Sequence, residues 1–433
     1  MTLTRFLRLA MGVGAINMAE RVIGIVLGII LARWLGAEGY GTYAFVMAWV
    51  VILNIPAQFG LPDLLMRDLA VGRSDRIQAS LGALLQRSVR LVLILSILTT
   101  LIGLVLTQFL MTGSDENLKH SLVIGLCGLP ALALLGVYGA AWRGLGRPLS
   151  AVLFGSLMPT TIVLVLTTVA VAMLGQGDNA DVALLCRFIG LAGALTAAII
   201  FLRRYMKGFP ISQNKPLHSV RETLVAALPF MMLTGAFIIM SRTDVVMIGV
   251  LAGQREVGLF NAGLQAALLA QFGLAVSNSI VAPEFARLYA NGDKKQLQYL
   301  AVSTARFVFL FGLVILSILL IFGTFLLGLL FGAEYQAAFG AMAILVVGQS
   351  VSLLFGEPGF LLNMTGNQNL TLYLVGGTAV LNLVLNAILI PLAGIQGAAV
   401  ATSIALVTWR CLAYVHVRRR LGINCAVFSR AGH

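Results

Sequence analysis

Seven charged side chains stand inside long apolar stretches of this sequence, where an ionisable group is costly and therefore a candidate for function. They are three carboxylates and four arginines: Glu20, Asp244, Glu357, Arg21, Arg187, Arg242 and Arg410. A carboxylate held away from water can take up a proton or a metal cation as its environment changes. A guanidinium matches the oxygens of a phosphate group with two parallel hydrogen bonds.

These two chemistries divide the seven residues into two predicted sets. We predict substrate binding at Arg21, Arg187, Arg242 and Arg410, and ion coupling at Glu20, Asp244 and Glu357. Each prediction has a structural alternative. Glu20 and Arg21 could form an internal ion pair, and Arg187 could reach the membrane surface by snorkelling. Glu357 precedes Pro358, so it stands beside a predicted helix kink.

Helical spacing limits which of these groups can pair with each other. Arg242 and Asp244 are two positions apart, which is about 200° around a helix, so each needs a separate partner or cavity. In the first span, Gly24 and Gly28 form a small-residue motif that is typical of close helix packing. Asn261 and Gln265 lie one turn apart and could bind sugar hydroxyls, although hydrogen bonds between helices are the commoner use.

The elements that carry these residues must be membrane helices. The chain has 433 residues, of which 59% are hydrophobic and 10% charged, and its mean hydropathy is +0.97. A soluble domain has about 25% charged residues, so this composition excludes a water-soluble globule. Runs long enough to cross a bilayer occur at 9–32, 40–62, 91–111, 120–141, 149–174, 182–202, 223–251, 257–282, 303–331, 336–362, 369–392 and 395–416.

The distribution of basic residues predicts the orientation of these twelve spans. When the loops are assigned alternately to the two sides, 22 of the 29 Lys and Arg residues fall on one side. Only Arg33, Lys119 and Arg255 fall on the other. By the positive-inside rule both termini are cytoplasmic, and we expect a multi-pass membrane protein.

Two weak internal repeats predict two lobes. The segment 35–45 is echoed 217 residues later at 252–262, and the segment 164–175 is echoed at 383–394. Because each half has six helices, both halves enter the membrane in the same direction and should be related by a pseudo-twofold axis. The predicted fold is an all-α polytopic protein with twelve helices in two six-helix lobes, 1–208 and 209–433, around a central cleft.

Several functions are excluded by what the sequence lacks. The four cysteines are widely spaced and the four histidines are scattered, so no metal or disulfide pattern is present. There is no phosphate loop and no nucleophile–histidine–acid pattern. The basic residues are spread among the spans and form no nucleic-acid surface. We therefore expect no catalytic residue, no metal, no cofactor and no nucleic-acid partner.

The order of several segments resembles the bacterial polysaccharide transporter family. The segments are LARWLGAEGYGTYAFVMAW, QFGLPDLLMRDLA, SRTDVVMIGVLAGQREVGLFNAG and LLNMTGNQN. That family includes lipopolysaccharide O-antigen and exopolysaccharide flippases. It belongs to the multidrug/oligosaccharidyl-lipid/polysaccharide exporter superfamily, with the multidrug and toxin extrusion exporters. In the family, charged positions of the first and seventh helices are associated with the central cavity, which corresponds here to Glu20, Arg21, Arg242 and Asp244.

The resemblance implies a non-enzymatic flippase. It would move an undecaprenyl-diphosphate-linked oligosaccharide from the cytoplasmic to the outer leaflet by alternating access, coupled to an ion. Its partners would be this lipid-linked substrate, the bilayer, and glycan polymerase or export proteins. The alternative is a cation-coupled multidrug exporter of the sister family, whose pocket should be acidic rather than rich in arginine.

Overall fold

The structure is a computed structural model that describes residues 3–74, 81–110, 116–175, 180–206, 219–269, 281, 288, 293–364 and 368–429. Within these residues the regular elements are helices. They are α1 (Leu3–Gln58), α2 (Leu61–Ser74), α3 (Leu81–Leu110), α4 (Glu116–Cys127), α5 (Leu129–Gly144), α6 (Pro148–Val152), α7 (Met158–Leu174), α8 (Ala180–Met206), α9 (Val220–Leu251), α10 (Gln254–Leu268), α11 (Lys294–Leu330), α12 (Phe339–Leu353), α13 (Pro358–Met364) and α14 (Gln368–Leu421). A π-helical turn, Leu153–Leu157, joins α6 to α7, and a 3₁₀ turn, Ala333–Ala338, precedes α12.

The described residues contain nine helical stretches that are long and apolar enough to cross a membrane. Two of them, Gly12–Gln58 and Asn369–Arg420, are interrupted by non-helical residues and each covers two predicted spans. The predicted span at 257–282 is described only as far as residue 269. The all-α polytopic membrane fold predicted from the sequence is confirmed.

Many apolar side chains are exposed on the surfaces of the long helices. On α3 and α11 they include Ile94, Leu101, Ile321 and Phe325. In water such a surface would be strongly unfavourable, whereas a bilayer solvates it at no cost. The exposure pattern therefore agrees with helices that face lipid.

The two repeated segments adopt matching backbone conformations. Gly36 has φ 68° and ψ 178°, and Gly253, 217 residues later, has φ 97° and ψ 172°. A side chain would strain the backbone at these angles, so glycine permits the chain to turn and begin a new helix. The second repeat behaves alike, because both Gly175 and Gly394 have positive φ at the end of an apolar run.

The repeats also contact each other directly through a reciprocal pair of glycines. A Cβ placed on Gly41 would lie 1.7 Å from the carbonyl oxygen of Gln254. A Cβ placed on Gly258 would lie 1.9 Å from the carbonyl oxygen of Ala37. Gly41 and Gly258 are 217 residues apart, and so are Ala37 and Gln254, so the contact has the same local symmetry as the sequence repeat.

The chain packs into two compact units. One comprises Met1–Gly14, Gly36–Ala44 and Ile239–His433, and the other comprises Ala15–Leu35 and Phe45–Ile238. In the first unit, α10, α12 and α14 pack together around buried residues such as Phe260 and Met342. In the second, α2, α5 and α8 bury Leu69 and Leu129. The predicted lobe boundary at 208/209 and the central cleft stay predictions.

The close packing predicted for Gly24 finds no support. A Cβ placed there would meet no atom within 4 Å. The side of α1 at Gly24 is therefore open in the described structure, whereas Gly28 is buried, and tight glycine contacts occur at Gly41 and Gly258.

Candidate functional site

Asp244 lies at the centre of a buried polar cluster in the first compact unit. Its carboxylate, on α9, is only 3% exposed. The amide nitrogen of Asn386 donates a hydrogen bond of 2.6 Å to one carboxylate oxygen. The hydroxyl of Thr402 donates a bond of 2.7 Å to the other. Both donors come from α14, on opposite sides of the Ala393–Gly394 interruption.

The interruption in α14 explains how one helix supplies two donors from distant positions. Asn382 and Asn386 are one turn apart in the first half of α14, so they share a face. Thr402 lies in the second half, beyond Pro391 and the non-helical Ala393 and Gly394. A straight helix would carry Thr402 about 24 Å along the axis from Asn386. The bend is therefore necessary for both residues to reach one carboxylate.

Two amide oxygens in this cluster have no hydrogen-bond partner among the described residues. Asn382 and Asn386 are fully buried. The side-chain oxygen of each is unpaired, and so is the amide nitrogen of Asn382. Asn382 lies near the Asp244 carboxylate but outside hydrogen-bond geometry. A buried unpaired polar atom costs about 1–3 kcal/mol, so the unpaired atoms of Asn382 and Asn386 mark the surroundings of Asp244 as a candidate polar binding site.

The donor set of this cluster is chemically uniform. Its potential ligand atoms are two carboxylate oxygens, two amide oxygens and one hydroxyl oxygen. Oxygen-only sets suit hard cations rather than transition metals. Because the cluster holds a single carboxylate, one monovalent cation or one proton is enough to neutralise it.

Glu357 and Arg410, predicted separately, are brought together by the structure. A nitrogen of the Arg410 guanidinium lies 2.6 Å from a Glu357 carboxylate oxygen. The same nitrogen donates a bond of 2.6 Å to the carbonyl of Gly356. The side chains are 9% and 18% exposed. The pair therefore joins α14 to the break between α12 and α13.

The other predicted residues are less enclosed. Glu20 is half-buried and Arg21 is exposed, and within the described part of the chain no ion pair joins them. Arg187, on α8, is half-buried, and its Nε atom is buried with no described partner. Arg242 is half-buried on α9, two residues from Asp244 and on the other side of the helix. Their predicted roles remain predictions.

Sequence reasoning missed the two partners of Asp244, Asn386 and Thr402, and the neighbouring Asn382. Asn382 and Asn386 stand four residues apart in an apolar span, which was a readable signal of a shared polar face. Thr402 carried no such signal. By contrast, Asn261 and Gln265 both donate hydrogen bonds to the hydroxyl of Tyr40, which is the inter-helix use that the sequence favoured.

Comparison with known proteins places this arrangement in a family. A family model described as polysaccharide biosynthesis protein matches residues 10–289. The chain belongs to this family. A Haloferax volcanii protein described as a probable low-salt glycan biosynthesis flippase is 30% identical over 166 residues, which are 37% of this chain and 34% of that protein. An uncharacterized membrane protein of Methanocaldococcus jannaschii is 34% identical over 140 residues, 31% of this chain and 26% of that protein.

The chain thus spans about a quarter to a third of the curated relatives that it matches. Solved structures extend the likeness to nearly its full length. An inward-facing MATE transporter of the MOP superfamily has a TM-score of 0.76 at 14% identity, covering 95% of this chain and 98% of its own. A MOP transporter from Pyrococcus furiosus has a TM-score of 0.69 at 15% identity, covering 96% and 95%. Such low identities establish the fold alone.

The chain belongs to the polysaccharide biosynthesis protein family, and its fold is that of the transporter structures it resembles. It is a multi-pass membrane protein, with nine helical stretches among the described residues that are long and apolar enough to cross a bilayer. The resemblance to the polysaccharide family found in the sequence is confirmed.

Proposed function

We propose that this protein flips an undecaprenyl-diphosphate-linked oligosaccharide from the cytoplasmic to the outer leaflet of a bacterial inner membrane, for lipopolysaccharide O-antigen or exopolysaccharide synthesis. It works by alternating access of two six-helix lobes, 1–208 and 209–433, with both termini cytoplasmic. Family membership supports the substrate class. The Asp244 cluster supports the coupling of transport to a cation, and it is the observation that carries this proposal.

The coupling cation is sodium. A proton on Asp244 would neutralise its charge and supply a single O–H donor, which can pair with at most one of the amide oxygens of Asn382 and Asn386. A dehydrated sodium ion would take the carboxylate and both amide oxygens as ligands together. Sodium would bind only a conformation in which α9 and both halves of α14 bring these oxygens together, so it selects one conformation of the first compact unit.

The diphosphate is recognised by arginines. Arg21, Arg187 and Arg242 are the proposed contacts, and Arg410 joins them when its pair with Glu357 opens. Glu20 and Glu357 remain proposed as further proton sites. A guanidinium is always charged and binds phosphate in a bidentate manner, so several of them offset the charge of a diphosphate inside the membrane.

A lipid extract tests the substrate. In cells that lack this gene, mass spectrometry should detect accumulated undecaprenyl-diphosphate oligosaccharide, and a surface-glycan gel should show loss of polymer. The mass would identify the glycan. Unchanged lipid pools with intact surface glycan, in cells without a second copy, would contradict the flippase function.

Thermal unfolding of the purified protein tests the cation. Sodium chloride should raise the unfolding temperature relative to potassium chloride at equal concentration, because a ligand at one hundred times its Kd adds about 2.7 kcal/mol. Asp244→Asn should abolish this difference. Asp181→Asn is the matched control, because Asp181 lies in the other compact unit, bonded to His120 and Ser121. Equal unfolding temperatures in both salts would remove the sodium assignment.

A cation-coupled multidrug exporter is the second candidate, and the likeness to MATE structures favours it. Such an exporter would bind lipophilic cations, for which four arginines in the spans are unfavourable. The lipid extract separates the two functions, since an exporter would leave the lipid-linked oligosaccharide pool unchanged.

A further inference from the structure

Residues 422–429 form a segment that turns back from the end of α14 and is buried without being helical. We call it the return segment. Gly422, with φ 69°, ends α14. Thereafter every second residue is buried, and these are Ile423, Cys425, Val427 and Ser429. Residues 426–429 form a turn, closed by the N–H of Ser429, which donates to the carbonyl of Ala426 at 3.0 Å, and the buried side chains face the protein.

Side chains of α11 hold the backbone of the return segment. Gln298 both donates to the carbonyl of Asn424 and accepts from its N–H, each at 2.7 Å. Arg306 donates to the carbonyls of Val427 and Ser429, at 3.1 and 2.9 Å. Two side chains on one helix therefore fix both ends of the segment.

The inner side of the return segment satisfies the end of α12. Three successive carbonyls at this helix end, those of Leu354, Phe355 and Gly356, have no helical partner because the helix stops. The N–H of Val427 donates to Leu354 at 3.0 Å, and the thiol of Cys425 donates to Phe355 at 3.4 Å. Arg410 donates to Gly356. The return segment and Arg410 together satisfy all three.

Glu357 follows immediately, so the same contacts determine its surroundings. A Cβ placed on Gly356 would lie 2.2 Å from the carbonyl oxygen of Cys425, which shows how closely the segment and the break fit. Beneath them lies a small recess lined by Ala305, Leu353, Glu357 and Cys425. The break and the return segment are thus joined through the backbone and fit closely, with only a small recess between them.

We propose that the return segment is a releasable latch that holds the α12–α13 break closed and keeps Glu357 paired with Arg410. When the latch is docked, the three helix-end carbonyls are satisfied by protein groups. When the segment leaves, those carbonyls accept hydrogen bonds from water instead. The break then bends, and the pair between Glu357 and Arg410 loosens. Release of residues 422–429 would thereby weaken the pairing of two charged groups, Glu357 and Arg410.

Cys425 reports the state of the latch. Burial raises the pKa of its thiol to about 12. A released cysteine has a pKa of ~8.5, so at pH 8 about one released thiol in four is the reactive thiolate, against about one docked thiol in ten thousand. The rate of thiol modification therefore measures how often the segment is released.

The experiment uses the purified full chain and two readouts that need no transport substrate. N-ethylmaleimide modification of Cys425 is followed by peptide mass spectrometry, and deuterium uptake is followed over residues 354–361. Arg306→Ala removes two hydrogen bonds to the segment. It should accelerate modification of Cys425 at least about tenfold and raise deuterium uptake at the break. Lys295→Ala, which removes an exposed cation from the same helix, should change neither.

A covalent cross-link between α11 and the return segment tests the opposite case, in which the segment cannot leave. Gln298 donates to the hydroxyl of Ser429 at 3.1 Å, so cysteines at these two positions lie within reach of a short reducible bis-methanethiosulfonate linker. The linked Gln298→Cys, Ser429→Cys protein should show slower uptake over 354–361 than before linking, and reduction should reverse the effect.

Three results would overturn the proposal. One is faster modification of Cys425 in Arg306→Ala without any change at the break, which would make the segment a passive clasp. Another is an equal modification rate in Arg306→Ala and Lys295→Ala. The third is a linked protein with unchanged uptake. If Arg306→Ala also raises deuterium uptake over α5, the variant has unfolded. Tyr414→Phe then replaces it and is judged by the same criteria, because it removes only the bond to the Asn424 side chain.

Discussion

At the scale of single residues, the energetics of the Asp244 cluster depend on atoms that lack partners. Asp244 itself is well supplied with donors by Asn386 and Thr402. Asn382 is different, because both polar atoms of its side chain are buried and unpaired. A residue that weakens the empty protein is retained only if it contributes in another state. Substitutions of Asn382 and of Asn386 are therefore expected to have opposite effects on the stability of the protein.

We expect Asn382→Leu to stabilise the protein in potassium chloride by about 1 kcal/mol, because it removes an unpaired buried amide. The same change should reduce the stabilisation by sodium chloride, because it removes a ligand. Asn386→Leu should instead destabilise the protein in both salts by about 2 kcal/mol, since Asp244 loses a donor. Thermal unfolding in one detergent checks both. Destabilisation by Asn382→Leu in potassium chloride would contradict the assignment of its oxygen to an ion.

The contribution of the pair between Glu357 and Arg410 to stability is also a prediction at the residue scale. We expect Glu357→Gln and Arg410→Gln each to cost about 2 kcal/mol. This is less than the ~3–5 kcal/mol of a fully buried pair, because Glu357 retains some contact with solvent. The double variant should cost less than the sum of the single variants. Additive costs in a double-mutant cycle would show that the two charges contribute independently.

At the scale of elements, the reciprocal glycine contact brings the second half of α1 against α10. Its closeness has a simple steric origin, because neither helix carries a side chain at the point of contact. Side-chain packing tolerates small volume changes, but a backbone carbonyl cannot move aside without displacing its helix. The repeat in the sequence is therefore a requirement of packing as well as a trace of duplication.

Gly41→Ala should destabilise the protein by about 3 kcal/mol or abolish folding, since its Cβ would overlap the carbonyl oxygen of Gln254. Gly24→Ala is the control on the same helix. A Cβ there meets open space, so it should stabilise the helix by about 0.5–1 kcal/mol. Folded yield and unfolding temperature measure both. Similar yields for the two variants would mean that the contact does not exist in solution.

The return segment has a predicted pH dependence. Because burial raises the pKa of the docked Cys425 thiol to about 12, docking is fully favoured below the released pKa of ~8.5. Docking then weakens as pH rises from ~8.5 towards 12. We expect modification of Cys425 by a methanethiosulfonate reagent to continue rising beyond pH 9. In Arg306→Ala it should level off near pH 9, because the released thiol is by then ionised. Identical pH profiles would argue against a protected docked state.

At the scale of the whole molecule, the fold is that of known transporters, and we propose both transport and its coupling to a cation through the Asp244 cluster. Such coupling means that transport would depend on residues that never contact the substrate. A variant that folds normally but cannot bind the cation separates coupling from folding.

We expect cells that express Asp244→Asn in place of the native chain to lose surface glycan and accumulate the lipid-linked oligosaccharide. The amount of protein in the membrane should be normal, because the asparagine keeps the shape and one acceptor of Asp244. Asp181→Asn should restore surface glycan. A surface-glycan gel, a lipid extract and an immunoblot measure the three quantities. Full glycan in Asp244→Asn cells would remove Asp244 from the transport cycle.

The sequence by itself determined the solvent, the helical class and the positions of the spans. This was possible because transfer of an apolar helix into a bilayer is a local property, readable as a sum over about 20 residues. It also showed where the chain must turn, since Gly36 and Gly253 recur in equivalent segments. Family membership was also readable, because the order of several segments resembles the family whose model matches residues 10–289.

Only the tertiary structure decided which polar groups meet. The partners of Asp244 lie 142 and 158 positions away along the chain, and Glu357 lies 53 positions from Arg410. Composition and spacing mark each group as costly in a membrane, but they do not contain its partner. Partners are selected by helix bends such as the one at Ala393–Gly394 and by the packing of α9, α12 and α14. The physical reason is that hydrophobic transfer is local, whereas satisfaction of buried polar atoms is a property of three-dimensional contact.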